Sequence, residues 1–183
     1  MAPDDSRTLT VEEVLRVLWR LLPPLTLGTL GLYLVLWGWP AASAGEWVRA
    51  SLLMLAVYLG AVIVHEILHI IPMLFVGIRI SELRIGVRWK DGVVYVHGGR
   101  PVSATAYRVI LATPGIILGI IPAVYGIATG HAFLTVFAWL MLVSAVGDWA
   151  VLRLIRDLPG DTLVQDHDSE VGCVIVRPET PPE

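Results

Sequence analysis

Long stretches free of charge recur along this chain. Residues 21–39 carry no charged side chain, residues 50–78 carry one carboxylate (Glu66), residues 109–129 carry none, and residues 132–152 carry only Asp148. Each exceeds the roughly 18 apolar residues that argue for a transmembrane helix. The pattern predicts an all-α polytopic membrane protein with four transmembrane helices over those ranges. Ahead of the first span, Thr10 and Glu13 have the spacing of a capping box, and Val11, Val14, Leu15, Leu18 and Leu22 follow at helical intervals. Residues 1–20 are therefore expected to form a cytosolic amphipathic helix that lies on the membrane or leads into the first span. Pro23 and Pro24 are expected to bend or interrupt it. The first residues, with Asp4 and Asp5, do not have the pattern of a cleavable signal peptide.

Between spans two and three the period changes. Leu83, Ile85, Val87 and Trp89 alternate with Arg84, Gly86, Arg88 and Lys90, and Asp91-Gly92 precedes a second apolar run ending at His97. This predicts a β-hairpin over about residues 80–98 with a two-residue turn. Gly115 and Gly119, and Gly126 and Gly130, have the spacing that lets helices approach closely in lipid. Residues 157–183 read as an acidic cytosolic tail with at most a short strand over residues 171–176.

Composition changes the picture in one respect: it names the solvent. The chain has 183 residues, of which 56% are hydrophobic and 16% charged, with a mean hydropathy of +0.73. A soluble domain carries about 25% charge, so a lipid bilayer is the expected surrounding, and the length suits a single membrane domain over residues 21–156. Of the 13 basic residues, 12 precede span one, lie between spans two and three, or follow span four; Arg49 alone falls on the other side. The positive-inside rule places both termini in the cytosol. Trp37, Trp39 and Trp47 would mark the outer interface and Trp19 the inner one. The net charge of -3, with no basic stripe, argues against a nucleic-acid partner. A single cysteine, Cys173, excludes an internal disulfide and a Cys-rich zinc knuckle.

The candidate chemistry sits in span two, where His65-Glu66-Ile67-Leu68-His69 forms an H-E-x-x-H pattern. Residues four apart on a helix share one face, so both imidazoles can reach one metal ion while Glu66 points toward a water on it. Two histidines and a carboxylate suit zinc, although iron or cobalt accept the same ligands. For this composition the expected number of chance matches is roughly 0.006, and polar groups inside an apolar span persist where they pair, bind an ion or line a wet cavity. A purely structural polar cluster joining helices is the competing explanation.

Catalytic zinc generally takes a third protein ligand. Asp148 is the other carboxylate within a predicted span, and at about 1.5 Å per residue His65 and Asp148 both lie roughly 22–24 Å from the outer surface. Asp148 is thus the candidate third ligand, the alternative being a solvated helix end paired with Arg153. His97 is its rival. His97, Tyr95 and Tyr107 are also candidates for lining the substrate route or supporting the transition state. His131 and His167, the latter among Asp161, Asp166, Asp168 and Glu170, read as solvated.

A membrane helix bearing His65-Glu66-Ile67-Leu68-His69, a following hairpin and a later helix with Gly147-Asp148 resembles the site-2-protease class of intramembrane zinc metalloproteases. More closely, it is similar to small bacterial and archaeal membrane proteins classed as zincin peptidases, a domain of unknown function, over residues from about Trp47 to Cys173. The resemblance implies one Zn2+ held by His65, His69 and Asp148, with Glu66 as general base. It also implies a bacterial or archaeal cytoplasmic membrane, a membrane-protein or peptide substrate, and a hairpin that pairs with an unwound substrate strand. The setting of the third ligand, Val146-Gly147-Asp148-Trp149, differs from the Asn-Pro-Asp-Gly or Leu-Asp-Gly of better-known members, and a PDZ module is missing. Two other functions are compatible with the pattern. One is a non-catalytic membrane metal-binding or interaction protein on the same scaffold, against which the presence of Glu66 argues. The other is a small transporter, disfavoured by the lack of an internal repeat.

Overall fold

The computed structural model describes residues 6–88, 93–167 and 170–176. It is mostly helical. Helix α1 (Val11–Thr26) starts at the expected capping box: the Thr10 hydroxyl accepts from the Glu13 amide at 3.3 Å, and Glu13 Oε2 accepts from the Thr10 amide at 2.9 Å. It does not break at Pro23-Pro24, contrary to expectation. A π-helical turn (Leu27–Gly31) follows directly, and the Leu27 amide is shared by the Pro23 and Pro24 carbonyls. The two missing amide protons leave the Trp19 and Arg20 carbonyls without helical donors, and the chain continues through the π-helical turn into α2 (Leu32–Trp37).

Helix α3 (Ala44–Phe75) begins six residues before the predicted span. The cause is local: Ser43 and Glu46 form a second capping box, with the Ser43 amide donating to Glu46 Oε2 at 2.7 Å. Gly77, at φ +87°, ends the helical path in a conformation that favours glycine. Strands β2 (Leu83–Arg88) and β3 (Val93–Gly98) pair antiparallel, Leu83 opposite Gly98 and Arg88 opposite Val93. The predicted turn at Asp91-Gly92 lies outside the described residues.

After β4 (Val102–Ser103), Ser103 caps helix α4 (Ala104–Pro114), which passes through a second π-helical turn (Gly115–Ile120) into α5 (Ile121–Thr129). Helices α6 (Ala132–Ser144) and α7 (Val146–Leu154) meet at Ala145 with a bend of 45°. Among the described residues, three helical segments are long and apolar enough to cross a membrane: Val11–Trp37, Ala44–Phe75 and Ala104–Thr129; the bent pair makes a fourth if it is one span. Leu52, Leu55, Leu59, Ile63, Ile67 and Ile71 form an exposed apolar ridge on α3. So long an unpartnered apolar face is consistent with a membrane protein.

The glycine spacings serve helix approach. A Cβ on Gly115 would lie 2.5 Å from the Trp149 ring, one on Gly119 would meet Leu142, and one on Gly126 would meet Thr135. The α4–α5 segment therefore lies directly on α6 and α7.

The tail is more ordered than its composition suggested. Strands β5 (Leu163–Asp166) and β6 (Val171–Val176) join β4 and the N-terminal strand β1 (Ser6–Leu9) in one sheet, ordered β1-β6-β5-β4. Its inner face packs Val164 and Cys173 against Ala104, Tyr107, Val151 and Ile155. Arg7 donates to the Leu154 carbonyl at 2.9 Å and pairs with Asp157 at 2.6 Å. Arg7 holds the Asp157 carboxyl below the usual carboxylate range. Arg108 on α4 donates to the carbonyls of Ile155 and Leu158 at 2.8 and 2.7 Å. Both ends of the chain thus clamp the end of α7 to the start of α4.

This packing predicts the reactivity of Cys173, which is fully buried and whose thiol is pushed up to about 11 by burial. Because the raised value keeps the thiol protonated below that pH, alkylation of the folded protein at pH 8 should be far slower than after denaturation. Rapid labelling of the folded protein at pH 8 would show that the tail sheet does not dock.

Candidate metal centre

Helix α3 places His65 and His69 on its inner face, 8% and 7% exposed, with their ring centroids 5.1 Å apart and nearly perpendicular. Glu66 is half-buried beside them, and the ligand atoms of His65, Glu66 and His69 all lie within 4.8 Å of one another. The bend at Ala145 turns the next helix inward and brings Asp148, in the first turn of α7, onto the same pair. Its Oδ2 is 3.0 Å from His65 Nε2 and its Oδ1 3.5 Å from His69 Nε2. Tyr58 on α3 and Ser144, the last residue of α6, are hydrogen-bonded at 2.9 Å, holding the two elements together near the bend.

Whether these residues suit a cation can be judged from their protons. The Nδ1–H of His69 donates to the Ile110 carbonyl at 2.9 Å, since a carbonyl can only accept. In the neutral imidazole Nε2 is then a lone pair facing a carboxylate oxygen at 3.5 Å, an arrangement that is repulsive unless a cation stands between them. Two ligands bonded to one tetrahedral zinc at about 2.0–2.1 Å are about 3.3 Å apart. The two observed separations, 3.0 and 3.5 Å, bracket that edge length. His65 Nδ1 is buried without a hydrogen-bond partner. The donor set of two imidazole nitrogens and a carboxylate fits zinc, with Glu66 adjacent.

The other sequence candidates lie elsewhere. Tyr107, 4% exposed, donates its hydroxyl to Asp166 Oδ1 at 2.6 Å. His97 is half-buried on β3, opposite Arg84 in the register. Tyr95 is opposite Gly86 on the same strand, and its side chain lies outside the described residues. Asp166 was misjudged from sequence as part of a solvated acidic face: its second oxygen accepts from the Gly98 amide at 2.9 Å, so it joins β3, β5 and α4. The available signal was that Asp166 shares the face of apolar Val164, two residues earlier in the strand. The Ile110 carbonyl also escaped notice, because a backbone acceptor leaves no trace in side-chain identity.

The fold and the site together give a largely helical protein with three, or up to four, candidate membrane spans among the described residues and a largely buried group that could hold a metal. The chain belongs to the family described as "Putative zincin peptidase", which matches residues 58–163, more than half of its length. That stretch includes His65, Glu66, His69 and Asp148. No curated protein and no solved structure matches the chain.

Two glycines beside the site make contrasting predictions. Gly115→Leu would drive a side chain into Trp149, next to Asp148, whereas a Cβ on Gly147 meets nothing within 4 Å. Gly115→Leu is expected to destabilise the protein by about 1–3 kcal/mol, as overpacking does. Gly147→Ala should leave the melting temperature in detergent nearly unchanged. Equal melting temperatures for both variants would contradict the packing of α4 on α7.

Proposed function

We propose that the protein is a membrane-embedded zinc metalloprotease that hydrolyses a peptide bond within or beside the bilayer, near its cytosolic face. The observation that carries this reading is the convergence of Asp148 on His65 and His69, with Glu66 next to them. Family membership supports it. His65, His69 and Asp148 would hold one Zn2+. When bound, the ion supplies Lewis acidity to the scissile carbonyl and acidifies the attacking water toward a pKa of about 7.

The chain's own groups do the rest. Glu66 takes the proton of the attacking water and passes it to the leaving amide nitrogen as that bond breaks. Asp148, as an anion, offsets the cation's charge and holds it on the α7 side. The apolar surroundings of α3 limit the access of bulk water and strengthen each charge interaction within the site. His97 and Tyr95, both on β3, are proposed to line the substrate route, and the β2–β3 pair to receive an extended substrate segment. The observed bond to Asp166 leads us to assign Tyr107 to positioning β3.

In this reading α1 beyond residue 20 together with α2, then α3, α4–α5 and the bent pair α6–α7, form the four spans of one membrane domain covering residues 21–156, and the part of α1 up to residue 20 is the cytosolic N-terminal helix. The N-terminal helix, the β2–β3 pair and the tail face the cytosol of a bacterial or archaeal cell, and the substrate is a membrane protein or peptide.

Elemental analysis and a cleavage assay test the chemistry together. Wild type and Glu66→Gln should each hold about one zinc per chain, with cleavage lost by at least 100-fold in Glu66→Gln, as general-base removal implies. Asp148→Ala should lose zinc. Zinc retained in Asp148→Ala would sink that ligand, and zinc without cleavage in the wild type would favour a non-catalytic metal-binding protein. For topology, reporters fused at Gly92 and after Arg177 should both report cytosol; a signal from the far side at either position overturns the four-span arrangement.

A further inference from the structure

The bond between His69 and the Ile110 carbonyl has a cause four residues further along α4. In an α-helix the carbonyl of residue 110 accepts from the amide of residue 114, and residue 114 is proline. A proline has no amide proton, and its ring pushes the carbonyl four residues earlier away from the helix axis. Pro114 is fully buried and Ile110 is 2% exposed, so the freed carbonyl has no water to turn to. It accepts instead from His69 Nδ1 at 2.9 Å.

We propose that Pro114 is the positioning residue of the metal centre: by withholding a helical hydrogen bond it presents the Ile110 carbonyl to His69 and fixes that ring as the Nδ1–H tautomer. The lone pair of Nε2 is then aimed at the ion position beside Asp148. This inference rests on the metal-centre reading of the preceding subsection. An outer hydrogen bond of this kind fixes ring orientation and raises ligand basicity. His65 differs: among the described residues its Nδ1 is buried with no partner, and its Nε2 lies 3.0 Å from Asp148. The backbone bond to Ile110 thus sets the orientation of His69, and through it that ring depends on Pro114. The same proline opens the π-helical turn at Gly115, the residue that lies against Trp149 beside Asp148. One residue thus shapes the helix wall facing both α3 and α7.

Pro114→Ala restores an amide donor to Ile110 and should turn its carbonyl back into the helix. Pro122→Ala is the control, because it restores a donor in the same helical segment at Leu118, away from His69. Zinc affinity, measured by chelator competition on the full chain in detergent, should fall about 10–100-fold for Pro114→Ala and less than about twofold for Pro122→Ala. Ring 15N spectra of the metal-free wild type should show His69 as the Nδ1–H tautomer, and Pro114→Ala should shift it toward a mixture. Unchanged zinc affinity in a folded Pro114→Ala protein overturns the proposal. So does an Nε2–H tautomer for His69 in the wild type, which needs no variant to fold. A wild type that binds no zinc but keeps the Nδ1–H tautomer would instead refute the metal-centre reading and leave the proline's effect on the ring standing.

Discussion

The arrangement depends on one buried contact, that of the Asp148 carboxylate with the imidazoles of His65 and His69. A carboxylate inside an apolar helical bundle costs a few kcal/mol or more, and two imidazoles add to that cost. The cost is tolerable only if the three groups face one another with a cation, proton or metal, to balance the charge. Since His69 already commits its Nδ1 proton to the Ile110 carbonyl, the nitrogen facing Asp148 has none to give in the neutral ring. The chemistry of the site thus follows from a shortage of protons as much as from ligand type.

Much of the remaining structure keeps α7 where Asp148 can make that contact. The bend at Ala145 directs it inward, Gly115 lets Trp149 approach α4, and Arg108 ties the end of α7 to α4 through the Ile155 and Leu158 carbonyls. Beyond the helices, the sheet of β1, β6, β5 and β4 closes over the same junction, with Arg7 holding Leu154 and Asp157. Asp166 extends the clamp to β3 through Gly98 and to α4 through Tyr107. The helix that carries Asp148 is thus fastened near both ends, as the placement of the proposed ligand requires.

The apolar helices were legible in the sequence because hydropathy is summed over many residues and single exceptions do not disturb it. The pair His65 and His69 was legible because four residues nearly complete a helical turn. Asp148 emerged from a depth argument, and the structure brings it within 3.0 Å of His65 and 3.5 Å of His69. What escaped was set by backbone geometry or by long-range pairing. Pro23 and Pro24 were expected to bend or interrupt α1, yet the helix runs through both to Thr26 and on into a π-helical turn. The strands at Ser6 and Leu163 are too short for alternation to register; both pair with Val171–Val176, the first across the length of the chain and the second as its neighbour in sequence. Asp166 looked solvated because its neighbours in sequence are acidic, while its partners in space are Tyr107 and Gly98.

The most direct test of the central contact is zinc K-edge X-ray absorption on the zinc-loaded protein in detergent. The structure predicts two imidazole nitrogens at about 2.0–2.1 Å, completed by carboxylate or water oxygen. A shell containing sulfur, or one of oxygen without imidazole scattering, would show that the ion binds elsewhere and would contradict a metal centre at His65, His69 and Asp148.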